Sequence, residues 1–578
     1  MKKTGAWLAR YAMEQVGIKY TFGIPGVHNT ELYDELNNSE QITPYLVTHE
    51  AHGGFMADAI SRTTDGIGSM LIVPAAGITH AASGIAEAFL DGIPMLVVSG
   101  GIRTDSKFDY QLHQLDQLKL VEGITKAQFK ITSHEEIIAT IYKAYDIAVS
   151  GEPGPVFVEL PVNLQLDKAD ISALPSYIKP PQSSVSDETL MAIRTAASSL
   201  YQAKNPVIFA GWGAVGAFNE LIEIAEHIGA PVSTSLQGIS AFPANHAMHA
   251  GFCFGPAASD APRKAFAKAD CVLAIGTRFA EIATGSFGGE LPDNLIHIDI
   301  NPEVFGKNFP TKIAIEGDAQ PLCALLSEAL RKQGSGKDNS EVAAKLAANK
   351  AAYRKSWVEH DSKDQVNPAL FFDELRAQLN DDANIVVDDG NHTFLSAELM
   401  PIHKARGFIS PTDFNCMGYA TPAAIATAYA HPQQETVAIV GDGAFMMTCM
   451  ELATAVNNEI GVIIGVFNDG ELSQISQAQQ IPYNRKTCTV LPQTKLQGIA
   501  IATGADYVRI ETNDDLQVAI TEARELAKQN RAVILDINID YSKPTAFTQG
   551  IVKTNLKRMP ISTKVRMIGR AIYRKITD

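Results

Sequence analysis

Along most of the chain, short aliphatic runs alternate with longer stretches in which apolar positions recur every three or four residues. The runs fall at 71–73, 95–98, 156–160, 206–211, 271–276, 295–300, 385–389, 436–443, 462–469 and 533–539. Aliphatic runs of that length, without polar alternation, read as strands buried on both faces, the pattern of parallel sheets. Helical periodicity between many of them predicts an α/β protein with helices on both sheet faces. Residues 172–188, rich in Pro and Ser, and 333–365, polar and Lys-rich, read as linkers. They divide the chain into three doubly wound parallel-sheet domains, at 1–170, 190–330 and 366–545, with a tail at 546–578. No short-period repeat points to a solenoid.

The 578 residues are 46% hydrophobic and 19% charged, enough apolar material for several cores. A formal charge of −16 argues against nucleic acid as the main partner. The six cysteines (Cys253, Cys271, Cys323, Cys416, Cys449 and Cys488) never come within 17 residues of one another (271 − 253 = 18), so neither a CxxC zinc site nor a disulfide framework is expected. The basic N-terminus is interrupted by Arg10 and Glu14 and lacks the apolar core of a signal peptide. Residues 66–86 are uncharged but contain Pro74 and His80, and read as strand, loop and helix rather than a membrane span. A cytoplasmic protein is the expectation.

The densest chemistry lies in 436–475. One buried strand ends at Gly441-Asp442-Gly443-Ala444 and a second at Asn468-Asp469-Gly470. In a parallel sheet both ends lie on one edge, so Asp442 and Asp469 (469 − 442 = 27 residues apart) converge at one crevice. The glycines allow close backbone approach, and the helix N-terminus favours an anion. Two hard carboxylates beside a phosphate site suit Mg²⁺ or Ca²⁺. One such turn alone would be an ordinary helix cap; two on successive strands favour a metal–phosphate site.

This spacing resembles the motif of thiamine-diphosphate-dependent enzymes (the pyruvate decarboxylase/oxidase superfamily). The resemblance runs over nearly the whole chain and is closest to the acetolactate synthase-like branch. It implies a pyrimidine-binding, a central and a diphosphate-binding domain in that order. It implies Mg²⁺ held by Asp442, Asp469 and the backbone carbonyl of Glu471, with Asn468 a lesser ligand. Glu50, in the run 45–54, matches the glutamate that shares a proton with N1′ of the aminopyrimidine. Asn415 and Met417 match the segment that bends the cofactor, and Gly390-Asn391-His392 the loop at its diphosphate, although Asn391 stands where Gln is common. The family builds its site across a subunit interface, which implies a homodimer or homotetramer.

Three histidines bear on substrate chemistry. His28 falls where related decarboxylases place a polar residue, His113 where the synthases carry a Gln, and His80 where they carry an Asn. A lone histidine is more often structural, but imidazole suits proton transfer near neutral pH. Ala478 replaces a Trp typical of the biosynthetic synthases and opens the acceptor side. In the central unit, Gly211 to Gly216 fits GxGxxG, yet the next strand (231–235) offers only hydroxyls, so a nicotinamide site is not expected. Residues 275–279 resemble part of a non-redox FAD site, whose acidic residues are not kept in order; FAD is a possible second cofactor.

From Lys553 onward eight basic residues face one acid, Asp578. Val565, Ile568, Ile572 and Ile576 line one helical face, as in an arm docked on the acidic body or an interfacial helix on an anionic membrane. Docking or disorder is the expectation, and peripheral membrane contact the alternative. The function expected is a carboligase that decarboxylates a 2-oxo acid such as pyruvate and adds the acyl carbanion to a second carbonyl. A decarboxylase releasing aldehyde comes next. Third is a diketone hydrolase or two-carbon transfer to an unusual ketone. A non-catalytic scaffold would have lost one of Glu50, Asp442 or Asp469.

Overall fold

The computed structural model describes residues 2–181 and 185–577. Part of the first expected linker (182–184) and Asp578 lie outside the described residues, as do the side chains of Lys575 and Ile576. Three six-stranded sheets, each wholly parallel, carry the chain, with a short antiparallel clasp between Lys2–Thr4 and Lys168–Asp170.

In spatial order the first sheet runs Thr43–Leu46, Tyr20–Gly23, Gly68–Ile72, Met95–Gly101, Pro155–Pro161, Ala127–Lys130. The second runs His249–Phe252, Val232–Thr234, Pro206–Ala210, Cys271–Ile275, Leu295–Asp299, Ile313–Glu316. The third runs Phe408–Ile409, Asn384–Val387, Thr436–Gly441, Val462–Phe467, Ala532–Ile537, Asp506–Ile510. All ten aliphatic runs are therefore strands of these sheets. In each sheet the chain leaves one strand to build one side, then returns to build the other. The reversal points lie between Tyr20–Gly23 and Gly68–Ile72, between Pro206–Ala210 and Cys271–Ile275, and between Asn384–Val387 and Thr436–Gly441. Crevices open at the carboxyl ends of strands at such points.

The first and third sheets share a hydrophobic core in which helix Glu50–Thr63 packs against helices Ala76–Asp91 and Ala420–Ala430. Gly54 and Gly84 make the first contact possible, because a Cβ on Gly54 would lie 2.7 Å from the Gly84 Cα. A buried ionic knot ties the two units. The Arg62 guanidinium donates to Asp58 (2.7 and 3.2 Å) and Asp91 (2.8 Å), and the Tyr419 hydroxyl donates to Asp58 (2.6 Å). The central sheet joins them through Arg278, which pairs with Glu152 at 3.0 Å and with Asp413.

One expectation is corrected. Much of the polar segment 333–365 is a 19-residue helix, Ser340–Val358, not an irregular linker, and its Trp357 is fully buried against the third unit. The six cysteines are free, as expected.

Candidate active site

At the carboxyl edge of the first sheet, four strand ends bring the predicted residues together. Glu50 opens helix Glu50–Thr63, after the short turn Val47-Thr48-His49 that follows strand Thr43–Leu46, and its side chain is 7% exposed. His80 Nδ1 lies 3.0 Å from Glu50 Oε2. Gly77, in the same helix as His80, leaves room for the Glu50 carboxyl; a Cβ there would stand 3.5 Å from Oε1 and 2.8 Å from Val73 Cγ2. The turn before it is strained, with Ala75 at φ 56°. The Pro74 carbonyl accepts from His113 Nδ1 at 2.7 Å. His113 in turn stands beside His28, with ring centroids 5.2 Å apart. Burial, then the neighbouring His113, lowers the pKa of His28. Its buried Nδ1 has no partner among the described residues, while its backbone carbonyl accepts from Gln165 Nε2 at 2.8 Å.

At the carboxyl edge of the third sheet lies the second group. Asp442 Oδ2 accepts from the Gly470 N–H (2.7 Å) and Oδ1 from the Gly443 N–H (2.8 Å), so it bridges both strand-end turns. Burial raises the Asp442 pKa and pushes Asp469 up to about 7, the latter helped by the Asp442 charge beside it. Asp469 accepts from the Ser473 hydroxyl. Asn468 turns away to Asp536 (3.0 Å), and the Glu471 side chain is committed to Lys486 (2.5 and 2.7 Å) and Ser476 (2.6 Å). Among the described residues no cluster of three or more His, Cys, Asp or Glu side chains is arranged to hold a metal ion.

His392 is buried against both Gly390 and Gly441; a Cβ would come within 2.5 and 3.0 Å of its Cε1. Burial lowers its pKa to about 3, so the ring is neutral. Asp388 fixes the start of the Met417 segment by accepting from the N–H groups of Gly418 (2.8 Å) and Ala420 (2.7 Å). Asn415 sits at φ 64°, and the Cys416 N–H donates to Glu87 Oε2 of the first unit at 3.0 Å.

Several buried polar atoms at this edge have no partner among the described residues: His392 Nε2, Asp389 Oδ1 and the Tyr541 hydroxyl. Burial, then the nearby charges of Asp469 and Asp442, raises the pKa of Tyr541. Unpaired buried polar groups are costly and here surround a glycine-lined turn, which fits a bound diphosphate and cation. Sequence reasoning missed Tyr541, and also Gln477, which accepts from Asn391 Nδ2 (3.3 Å) and donates to the Tyr541 carbonyl (2.9 Å). No local motif marks Tyr541, whereas Gln477 flanks Ala478 in the segment compared with the synthases' Trp.

Within one chain, Glu50 itself makes no hydrogen bond to Asp442 or Asp469 among the described residues. Comparison with known proteins connects them. Residues 2–120 match the thiamine pyrophosphate enzyme N-terminal TPP binding domain, 193–326 the central domain, and 388–537 the C-terminal TPP binding domain. The probable acetolactate synthase large subunit of Methanocaldococcus jannaschii is 30% identical over 548 residues, covering 92% of this chain and 90% of that protein. The chain belongs to the thiamine pyrophosphate enzyme family, in its acetolactate synthase-like branch. The acetolactate synthase isozyme 3 large subunit of Escherichia coli K12 is 29% identical over 553 residues (93% and 95% coverage). The large subunit of Corynebacterium glutamicum is 29% identical over 549 (93% and 86%). The protein is thus a thiamine-diphosphate-dependent enzyme acting on C–C bonds, and its three α/β units are those of the family. No helix among the described residues is long and apolar enough to cross a membrane.

Proposed function

We propose that the enzyme is a carboligase that takes an acyl unit from a 2-oxo acid such as pyruvate and adds it to a second carbonyl. The observation that carries this reading is the joint retention of a buried Glu50 at one sheet edge and the Asp442–Asp469 pair at another. Asp442, Asp469 and the Glu471 carbonyl would hold Mg²⁺, Gly390, Asn391, His392, Gly441, Gly443 and Ala444 would hold the diphosphate, and Asn415 and Met417 would help to hold the rest of the cofactor. Bound thiamine diphosphate supplies a carbon nucleophile and an electron sink for the acyl group. The chain supplies the rest. Glu50 would share a proton with the aminopyrimidine of the cofactor. His28, with an unpartnered Nδ1, and His113 stand where a proton can be passed to or from the substrate oxygen.

Two copies make the working unit in this reading, because within one chain Glu50 makes no hydrogen bond to Asp442 or Asp469 among the described residues. Exposed Leu46, before Glu50, and Met446, Met447 and Met450, after Asp442, offer an apolar face for the second copy. Exposed Ala478 leaves the acceptor side open to a bulky carbonyl. The His28–His113 pair favours simple decarboxylation as a second reading. In the tail, the exposed Ile561, Val565, Ile568 and Ile572 form the face available to an anionic membrane.

FAD is plausible only through the likeness to the acetolactate synthases. The central crevice, about 800 Å³, is large enough, but seven carboxylates line it against three cations. Of those cations, Arg278 is already paired with Glu152 and Asp413. That lining disfavours a dinucleotide's diphosphate.

Incubating the enzyme with thiamine diphosphate, Mg²⁺, pyruvate and a panel of aldehydes and ketones, with mass spectrometry of the products, tests the reading. Ligated hydroxyketones are expected; free aldehyde alone would replace it with the decarboxylase. Glu50→Gln should keep cofactor binding, read by near-ultraviolet circular dichroism, and lose turnover by about 100-fold or more.

A further inference from the structure

His80 stands where the synthase pattern has an asparagine, and it touches Glu50 directly at 3.0 Å. An asparagine amide could make that hydrogen bond but cannot exchange a proton; an imidazole near neutral pH does both. The two partners differ sharply in exposure, 52% for the His80 side chain against 7% for Glu50. In the single chain the imidazole therefore reaches from the sealed carboxyl to the rim of the cleft that a second copy would complete.

Its ring is held in place. His49 stacks on it at 4.7 Å with the planes 25° apart, and His49 Nδ1 accepts the Ala51 N–H at 3.2 Å, capping the helix that starts at Glu50. Burial, then the imidazoles of His52 and His80, lowers the pKa of His49. His52 is drawn to the other side by Glu451, whose fully buried carboxylate accepts from His52 Nδ1 (2.6 Å), the Thr48 N–H (3.0 Å) and the Thr454 hydroxyl (2.6 Å). The other titratable group near Glu50 is Tyr33, whose hydroxyl donates to the Leu71 carbonyl at 3.0 Å. The histidines thus have separate tasks: His52 anchors the loop, His49 fixes a ring plane, and His80 alone meets Glu50.

We propose that His80 is a positioning and proton-exchange residue acting through Glu50, the route by which that buried carboxyl equilibrates with solvent. In the step, the Nδ1–H bond breaks as an O–H bond forms on Glu50 Oε2. Nε2 takes a proton from a buffer acid, which leaves as its conjugate base, and the imidazole stays neutral in its other tautomer. The reverse step discharges Glu50. This rests on the reading of Glu50 as the proton-sharing carboxyl.

The test uses the full chain and three variants. In His80→Ala, cofactor binding should persist while kcat falls by about 100-fold with little change in KM, and added imidazole should restore a large part of the loss. His80→Asn keeps the hydrogen bond and fills the space, so it should be slow and resist rescue. Independently of turnover, nitrogen-15 NMR of the cofactor-free protein should find His80 as the Nδ1–H tautomer, shifting toward Nε2–H in Glu50→Gln. Wild-type rates in both His80 variants, a slow His80→Ala indifferent to imidazole, or a tautomer unmoved by Glu50→Gln would each overturn the proposal. A fully active Glu50→Gln would instead sink the reading of Glu50 itself; an inactive Glu50→Gln beside unaffected His80 variants would remove only the role of His80.

Discussion

Asp442 and Asp469 show how a residue can be legible in sequence while its surroundings are not. Each follows an aliphatic strand and precedes or adjoins a glycine, a local signature that a parallel sheet converts into convergence. Tyr541 has no such signature. It arrives from beyond the strand Ala532–Ile537 and leaves a buried, unpartnered hydroxyl near both carboxylates. If that hydroxyl serves the diphosphate or its cation, Tyr541→Phe should weaken cofactor binding by about tenfold, roughly 1.4 kcal/mol. The cofactor-free protein, spared an unpaired buried group, should melt no lower than wild type. Calorimetric titration and thermal melts check both halves. His392 gives a pH signature. Its folded pKa of about 3 lies below the ordinary value of 6.5, so between these the unfolded chain binds a proton that the folded one does not. Its contribution is therefore intact above pH 6.5 and is lost as pH falls toward 3. At pH 5 the loss is about 2 kcal/mol. In His392→Gln the stability difference between pH 7 and pH 5 should shrink by that order, as read by denaturant unfolding.

At the scale of elements, the aliphatic runs located interior strands and passed over edges. Ala127–Lys130, His249–Phe252, Ile313–Glu316, Phe408–Ile409 and Asp506–Ile510 all lie at the edge of a sheet, and Thr43–Leu46 stood out only as a β-rich run. An edge strand is partly exposed, so its residues are mixed rather than uniformly apolar. Interior Tyr20–Gly23 was missed because it is short and opens on polar residues. Helix Ser340–Val358 was hidden for a different reason. It buries only Leu346 and Trp357 fully, so no apolar stripe marks it, although its alanine-rich run has high helix propensity. Nearly all of its anchoring on the third unit is concentrated at one end. Trp357→Ala should accordingly cost about 3–5 kcal/mol in denaturant unfolding. A loss below about 1 kcal/mol would mean that the helix is held elsewhere.

For the whole molecule, the net charge conceals a division: residues 553–578 carry +8 − 1 = +7, and the rest −16 − 7 = −23. The tail is not loose. Helix Ala546–Arg558 is built into the body, with Phe547 stacked on Phe394 at 4.4 Å and the Arg558 guanidinium donating to the Ser286 carbonyl at 2.5 Å. Helix Ile561–Thr577 then docks on helix Ser473–Tyr483. Arg570 Nε donates to the Pro482 carbonyl (3.0 Å) with its guanidinium 4.3 Å from the Tyr483 ring, and Arg574 donates to the Tyr483 carbonyl (2.9 Å). The covered helix carries Ser473, which holds Asp469, Gln477, which meets Asn391, and Ala478 on the acceptor side. A chain ending at Pro560 should keep its global melting temperature, since the docking contacts are few and lie on the surface. It should exchange backbone hydrogens faster over 473–495 and show a higher KM for the acceptor, with the donor KM little changed. Unchanged exchange and acceptor KM would separate the tail from the site. Its apolar stripe would then be the remaining feature to explain, and sedimentation of the full chain with anionic but not neutral vesicles, abolished by Ile568→Asp, would give it a membrane role.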